Sequence, residues 1–146
     1  MIAMMTPLEE LIDETRLLWH ALIAAAERLH AKERVTLGMR AVLEFLLVQG
    51  PVPVPEIARR RGVSRQHIQG LVNALLAENL VAVQENPAHR RSVLIGLTTN
   101  GERTIRRMKE REARLFAEKD FGAGQAEMKR AAKVLRGVRS ALGGQK

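Results

Sequence analysis

No cysteine occurs among the 146 residues. That excludes disulfides, thiolate nucleophiles, cysteine-based zinc sites and thiol sensing of oxidants. Tyrosine is missing too, and one tryptophan and three phenylalanines supply all the large aromatic surface. A core must therefore be built from Leu, Ile, Val and Ala, which favours helices. No uncharged stretch approaches the ~20 apolar residues that a bilayer-spanning helix needs, and Phe45–Pro55 falls far short. Met1-Ile2-Ala3-Met4-Met5 is apolar, but no basic stretch precedes it and Glu9-Glu10 soon follow, unlike a secretory signal. Cytoplasmic localisation without a membrane segment is the expectation. The four histidines, His20, His30, His67 and His89, form no i, i+3 or i, i+4 pair, so neither a metal site nor a cofactor is expected.

What the chain has is positive charge, unevenly spread. The net charge is +8. Residues 1–50 carry five basic and seven acidic side chains, residues 51–100 six and three, and residues 101–146 thirteen and six. An acidic front end thus precedes a basic middle and tail, a balance that suits an anionic partner such as nucleic acid.

Local signals divide the chain into helices and one hairpin. Thr6-Pro7 followed by Glu9 and Glu10 starts a helix. Leu8, Leu11, Thr15, Leu18, Leu22, Ala25 and Leu29 then recur at steps of three and four, to about Lys32. A second helix follows from Thr36 and stops at Gly50-Pro51. Pro51-Val52-Pro53-Val54-Pro55 is extended, and Pro55 opens a short helix that Gly62 ends. Ser64 caps the next helix, with Ile68, Leu71, Val72, Leu75 and Leu76 inward. Helix, glycine-containing turn and helix make a helix-turn-helix. Leu80–Gln84 and Ser92–Leu97 read as strands around the basic tip Asn86-Pro87-Ala88-His89-Arg90-Arg91, with Val93, Ile95 and Leu97 on one face. Thr98 caps a long charged helix to about Lys119, read as a solvated connector in which Glu102, Glu110 and Glu112 offset neighbouring arginines at i, i+4 spacing. A last helix carries Met128, Ala131, Leu135, Val138 and Leu142 and ends at Gly143-Gly144.

The second helix of a helix-turn-helix offers its N-terminal residues to base edges in the major groove. Here Ser64 caps that helix, and Arg65, Gln66, Gln69 and Asn73 form its outer face. Amides pair with adenine and arginine with guanine in bidentate fashion. His89, Arg90 and Arg91 on the hairpin suit a wing reaching a minor groove. Arg59, Arg60 and Arg61 are candidates for phosphate contacts, or for a solvated face whose stems cover apolar surface.

From Thr36 to Gly101 the order of elements resembles the MarR family (multiple antibiotic resistance regulators). The resemblance rests chiefly on Asn86 to Gly101. There an Asp-x-x-Asp-x-Arg wing pattern and a Leu-Thr-x-x-Gly helix start are matched by Arg91 and by Leu97-Thr98-Thr99-Asn100-Gly101. Leu75-Leu76-Ala77-Glu78-Asn79-Leu80-Val81 is similar to the family's exit into the wing. Asn86 and His89 stand where that pattern has aspartates, and Gly70 and Ala74 fall where relatives often carry basic residues. The resemblance implies a mainly α winged helix-turn-helix DNA-binding domain with a small β-hairpin wing and N- and C-terminal dimerisation helices. It also implies an effector pocket for a small aromatic or phenolic ligand, to which Trp19 belongs unless it is plain core or interface.

A dimer has an independent argument, because a small winged domain cannot bury both terminal apolar seams. The expected organisation is an N-terminal dimerisation helix (1–34), a DNA-binding region (35–100) and C-terminal helices completing the dimer (101–146). The expected function is that of a homodimeric regulator, a repressor, on a pseudo-palindromic site in double-stranded DNA. Two rivals stand beside it. A winged-helix interaction module for protein or RNA would tolerate alanine at Arg65, Gln66 and Gln69, and an enzyme would need a convergent nucleophile or acid–base pair, of which the sequence shows no sign.

Overall fold

The computed structural model describes residues 4–143; residues 1–3 and Gly144 of the expected helix stop lie outside the described residues. The helix α1 (Pro7–Leu29) begins with a capping box, in which the Thr6 hydroxyl accepts the Glu9 amide and the Glu9 carboxylate accepts the Thr6 amide. Next come α2 (Leu37–Gln49), capped by Thr36, then α3 (Val54–Arg61) and α4 (Arg65–Ala77), capped by Ser64. The strands β1 (Val81–Gln84) and β2 (Leu94–Leu97) follow, and α5 (Thr99–Ala117) and α6 (Gln125–Leu142) complete the described chain. Both strands are shorter than the sequence suggests, and α3 starts one residue before Pro55. The order is the expected one, a mainly α winged helix-turn-helix.

Two turns set the geometry of the middle. Gly62 adopts the left-handed conformation (φ 67°) that closes α3 and turns the chain into α4. At the other end of α4, Asn79 is left-handed (φ 54°). Its amide donates to the Leu76 carbonyl, and that of Leu80 donates to the Leu75 carbonyl. That double closure ends the helix and aims Leu80 inward, straight into β1.

The hairpin pairs Val81 with Leu97 and Gln84 with Leu94, antiparallel. Val52 in the proline segment adds one bridge to Ile95 on the far side of β2, which ties the wing to the end of α2. Of the three residues expected on one strand face, Ile95 is buried and Leu97 half-buried, while Val93 lies outside β2 and is 49% exposed. At the base of the wing the Thr98 hydroxyl donates to the Asn79 carbonyl and accepts the Gly101 amide. A Cβ on Gly101 would stand 1.8 Å from the Leu80 carbonyl oxygen, so only glycine fits there.

One core lies between α2, α3, α4, the hairpin and α5. Leu43, Ile57, Leu75, Ile105 and Met108 are fully buried, each side chain contributing about 1.5–3 kcal/mol by leaving water. The reading of α5 as a solvated connector is therefore incomplete. Gly101, Thr104, Ile105 and Met108 form a buried face, too thinly populated with apolar residues to stand out among so many charges. By contrast α1 has no fully buried residue beyond its end, and α6 has none. Leu17, Leu18, Trp19 and Leu22 on α1, and Met128, Val134, Leu135 and Leu142 on α6, remain open to solvent.

Candidate nucleic-acid interface

Ser64 spends its hydroxyl inside the fold, accepting the His67 amide at 3.0 Å as the N-cap of α4. Behind it Ile68, Val72 and Leu75 are buried, with Leu71 and Leu76 half-buried. That anchoring fixes which face looks outward. Arg65, Gln66, Gln69, Gly70 and Asn73 are all exposed. The Gln69 Nε2 donates to Asn73 Oδ1 at 2.9 Å, so two of the expected base-reading side chains form one unit.

The wing tip presents His89, Arg90 and Arg91, all exposed. Asn86 Oδ1 accepts the Ala88 amide at 3.1 Å, and the amides of His89 and Ser92 close two successive turns. Asn86 thus shapes the loop and does not hold an arginine. Among the described residues no carboxylate lies within ion-pair distance of Arg65, Arg90 or Arg91. Their charge is free for an external anion.

The three arginines ending α3 point in three directions, as the ~100° step of a helix requires. Arg59 is paired with Glu56 and exposed. Arg60 also holds Glu56, donates to Gln49 Oε1 at 2.6 Å and lies over the Phe45 ring at 6.0 Å. These contacts tether α3 to the end of α2. The Glu56 carboxyl sits below its usual range because it accepts from Arg59 and then Arg60. Arg61 turns towards a cavity.

That cavity, about 580 Å³, opens between α1, α2, α4 and α5 and has the size of a small-molecule site. Trp19, Leu22, Leu29, Leu37, Leu71 and Phe116 provide much of its wall. Arg61, Val63 and His67 bring the helix-turn-helix itself to the same cavity.

Its polar side is an ion network that the sequence did not reveal. Glu112 on α5 receives the Arg40 guanidinium through both Nε and Nη2, and His30 Nε2 lies 3.0 Å from its Oε1. Arg40 also reaches Glu44 at 2.7 Å, and Lys109 pairs with Glu44 from the other side. His30, the C-cap of α1, is only 4% exposed. Burial pushes the Glu112 carboxyl up, but hydrogen bonds from Arg40 and His30 outweigh it and hold the group below its usual range. Glu44 is lowered in the same way, with Lys109 and Arg40 overcoming burial, and the Arg40 guanidinium is raised chiefly by Glu112. Glu112 therefore pairs across elements, not at i, i+4 spacing on α5. Among the described residues, Glu102 alone of the three glutamates does that, with Arg106. The Arg40–Glu44 spacing was visible in the sequence, whereas partners 72 and 82 residues from Glu112 were not.

The model of the MarR family matches residues 40–92, from within α2 through the wing loop. A Mycobacterium tuberculosis protein described as uncharacterized is 45% identical over 58 residues, covering 40% of this chain and 41% of that protein. The match thus spans less than half of that relative's length. The crystal structure of a MarR family transcription regulator has a TM-score of 0.77 at 29% identity, over 90% of this chain and 87% of that one. Bordetella bronchiseptica BpsR, whose DNA binding is described as regulated by 6-hydroxynicotinic acid, shares the fold with a TM-score of 0.79. Its identity is 22%, over 94% of this chain and 99% of that one.

Proposed function

We propose that this chain, which belongs to the MarR family of winged-helix regulators, binds duplex DNA sequence-specifically as a homodimer and represses transcription in the cytoplasm. One observation carries the reading. The outer face of α4 and the wing tip carry exposed amides, two of them bonded to each other, and arginines with no carboxylate partner among the described residues. Arg65, Gln66 and Gln69 would read base edges, with Asn73 one turn further on the same DNA-facing surface, and His89, Arg90 and Arg91 would follow the adjacent minor groove. Ser64 holds the start of α4, and Arg59, Arg60 and Arg61 at the end of α3 are candidates to add phosphate contacts.

Residues 1–34 and 101–146 would form the dimerisation region around the DNA-binding residues 35–100. The open apolar stripes of α1 and α6 support this, because stripes of that length are stable in water only when covered. A two-fold dimer sets two copies of α4 about one DNA turn apart on a pseudo-palindromic operator. The cavity beside Trp19 would take a small aromatic or phenolic effector, and an effector that favours a wrongly spaced dimer would release DNA.

Fluorescence anisotropy on a promoter fragment from beside the chain's own gene, at several salt concentrations, tests the reading. The wild type should bind tightly with a steep negative salt slope. Arg65→Ala should lose preference for the promoter over random DNA, and Arg91→Ala should bind more weakly with a shallower slope. Equal binding of promoter and random DNA, together with no sequence enriched from a pool of genomic fragments, would remove it.

A further inference from the structure

The middle of α4 contains a glycine for which the fold gives no reason. A helix-interior glycine weakens the helix relative to alanine. Gly70 needs no special backbone, since its φ is not positive, and a Cβ built on it would meet no atom within 4 Å. Packing inside the chain therefore does not ask for a missing methyl group. Yet Gly70 is exposed and lies one turn from both Gln66 and Asn73, at i−4 and i+3, in the centre of the outward face. Bare backbone at the centre of an outward face permits close approach to another molecule.

The amides around it are already ordered. Gln69 Nε2 donates one hydrogen to Asn73 Oδ1, which leaves its second N–H and its Oε1 as an adjacent donor and acceptor. That pair is complementary to N7 and the N6 amino group of adenine in the major groove. Holding the glutamine beforehand lowers the rotamer entropy lost when it binds.

We infer that Gly70 lets the α4 backbone come close to the base edges, and that Asn73 positions Gln69 to read an adenine in each half-site. The inference rests on the proposed binding of duplex DNA. Asn73 acts here through Gln69, as a positioning residue.

The experiment begins with an operator enriched by the wild-type protein from random duplexes. Wild type, Gly70→Ala, Gln69→Ala, Asn73→Ala and the double variant are then titrated against it. The other targets are single base-pair replacements of the operator and a random duplex of equal length. Gly70→Ala should melt roughly 3 °C higher and bind the operator about tenfold more weakly, with unchanged affinity for random DNA. Asn73→Ala should reduce the adenine preference at the position where Gln69→Ala abolishes it, and should add nothing in the Gln69→Ala background. Unchanged operator affinity in Gly70→Ala would overturn the close approach. Additive effects at two different base pairs would overturn the positioning role, because Asn73 would then read a base itself. Failure of the wild type to enrich any sequence would overturn the proposed function along with this inference.

Discussion

Replacing Glu112 by glutamine should loosen the joint between α1 and the winged domain by an amount the geometry bounds. Glu112 is 16% exposed and accepts from Arg40 through two nitrogens and from His30. Glutamine keeps the volume and one acceptor, but turns an amino group towards donors and removes the charge. A hydrogen bond to a charged group contributes about 1.5–3 kcal/mol, and orphaning one partner of a fully buried pair costs roughly 3–5 kcal/mol. Arg40 retains Glu44, so the lower range applies, about 2 kcal/mol. At about 2–4 °C per kcal/mol for a chain of this size, Tm should fall by roughly 4–8 °C at neutral pH. The pH dependence gives a second handle. Glu112 and Glu44 both titrate below the usual carboxylate range in the folded protein, so on acidification the unfolded chain takes up protons first. Their stabilisation is complete above the ordinary carboxylate pKa of about 4.3 and is lost as pH falls through the lower folded values. Calorimetry from pH 7 downward, at fixed protein concentration, should show a smaller acid-induced loss of Tm in Glu112→Gln than in wild type. A variant within 1 °C of wild type at pH 7, or parallel pH profiles, would refute this account of the network.

Gly101→Ala should abolish the soluble folded protein, or lower Tm by more than 10 °C in thermal unfolding, because its Cβ would collide with the Leu80 carbonyl. A charge placed on either open stripe, as Leu18→Glu or Val134→Glu, should weaken dimerisation roughly hundredfold in sedimentation equilibrium. The helical circular dichroism of the winged domain should survive, since neither residue belongs to its core.

The order of elements was legible because the chain punctuates itself with Thr6-Pro7, Gly50-Pro51, Gly62-Val63-Ser64 and Thr98, each acting through local backbone chemistry that neighbours cannot override. The inward face of α4 was legible for the same reason, since Ile68, Val72 and Leu75 keep helical spacing. What stayed hidden depends on distant partners. His30 gave no sign of burial until α5 brought Glu112 to it. The inner face of α5 rests on Ile105 and Met108 alone among charges. The three α3 arginines form one basic run in the sequence, yet the fold divides them between solvent, the end of α2 and the cavity. The wing sequence located the loop, but the role of Asn86 in shaping it follows only from its hydrogen bond to Ala88.

The same division explains how the proposed effector would act on the proposed DNA contacts without a long relay. The cavity is walled by Trp19 and Leu22 of α1, Leu37 of α2 and Phe116 of α5, and on its remaining side by Val63, His67 and Leu71 around the start of α4. Gly38 of α2 lies against Leu71 of α4, where a Cβ would stand 3.0 Å from the leucine side chain, so α2 and α4 pack closely at this edge of the cavity. A ligand that fills the cavity would bear on both α1 and α4. Since α1 carries the open stripe and α4 the proposed reading face, a movement of one against the other would change the spacing of the two copies of α4 in the proposed dimer. The ligand needs only different affinity for the two spacings. A hundredfold preference, about 2.7 kcal/mol, shifts the balance between them by the same factor. The Glu112–Arg40–His30 network joins α1 to α2 and α5 beside this cavity. Weakening it should therefore reduce the response of DNA binding to an effector more than DNA binding itself.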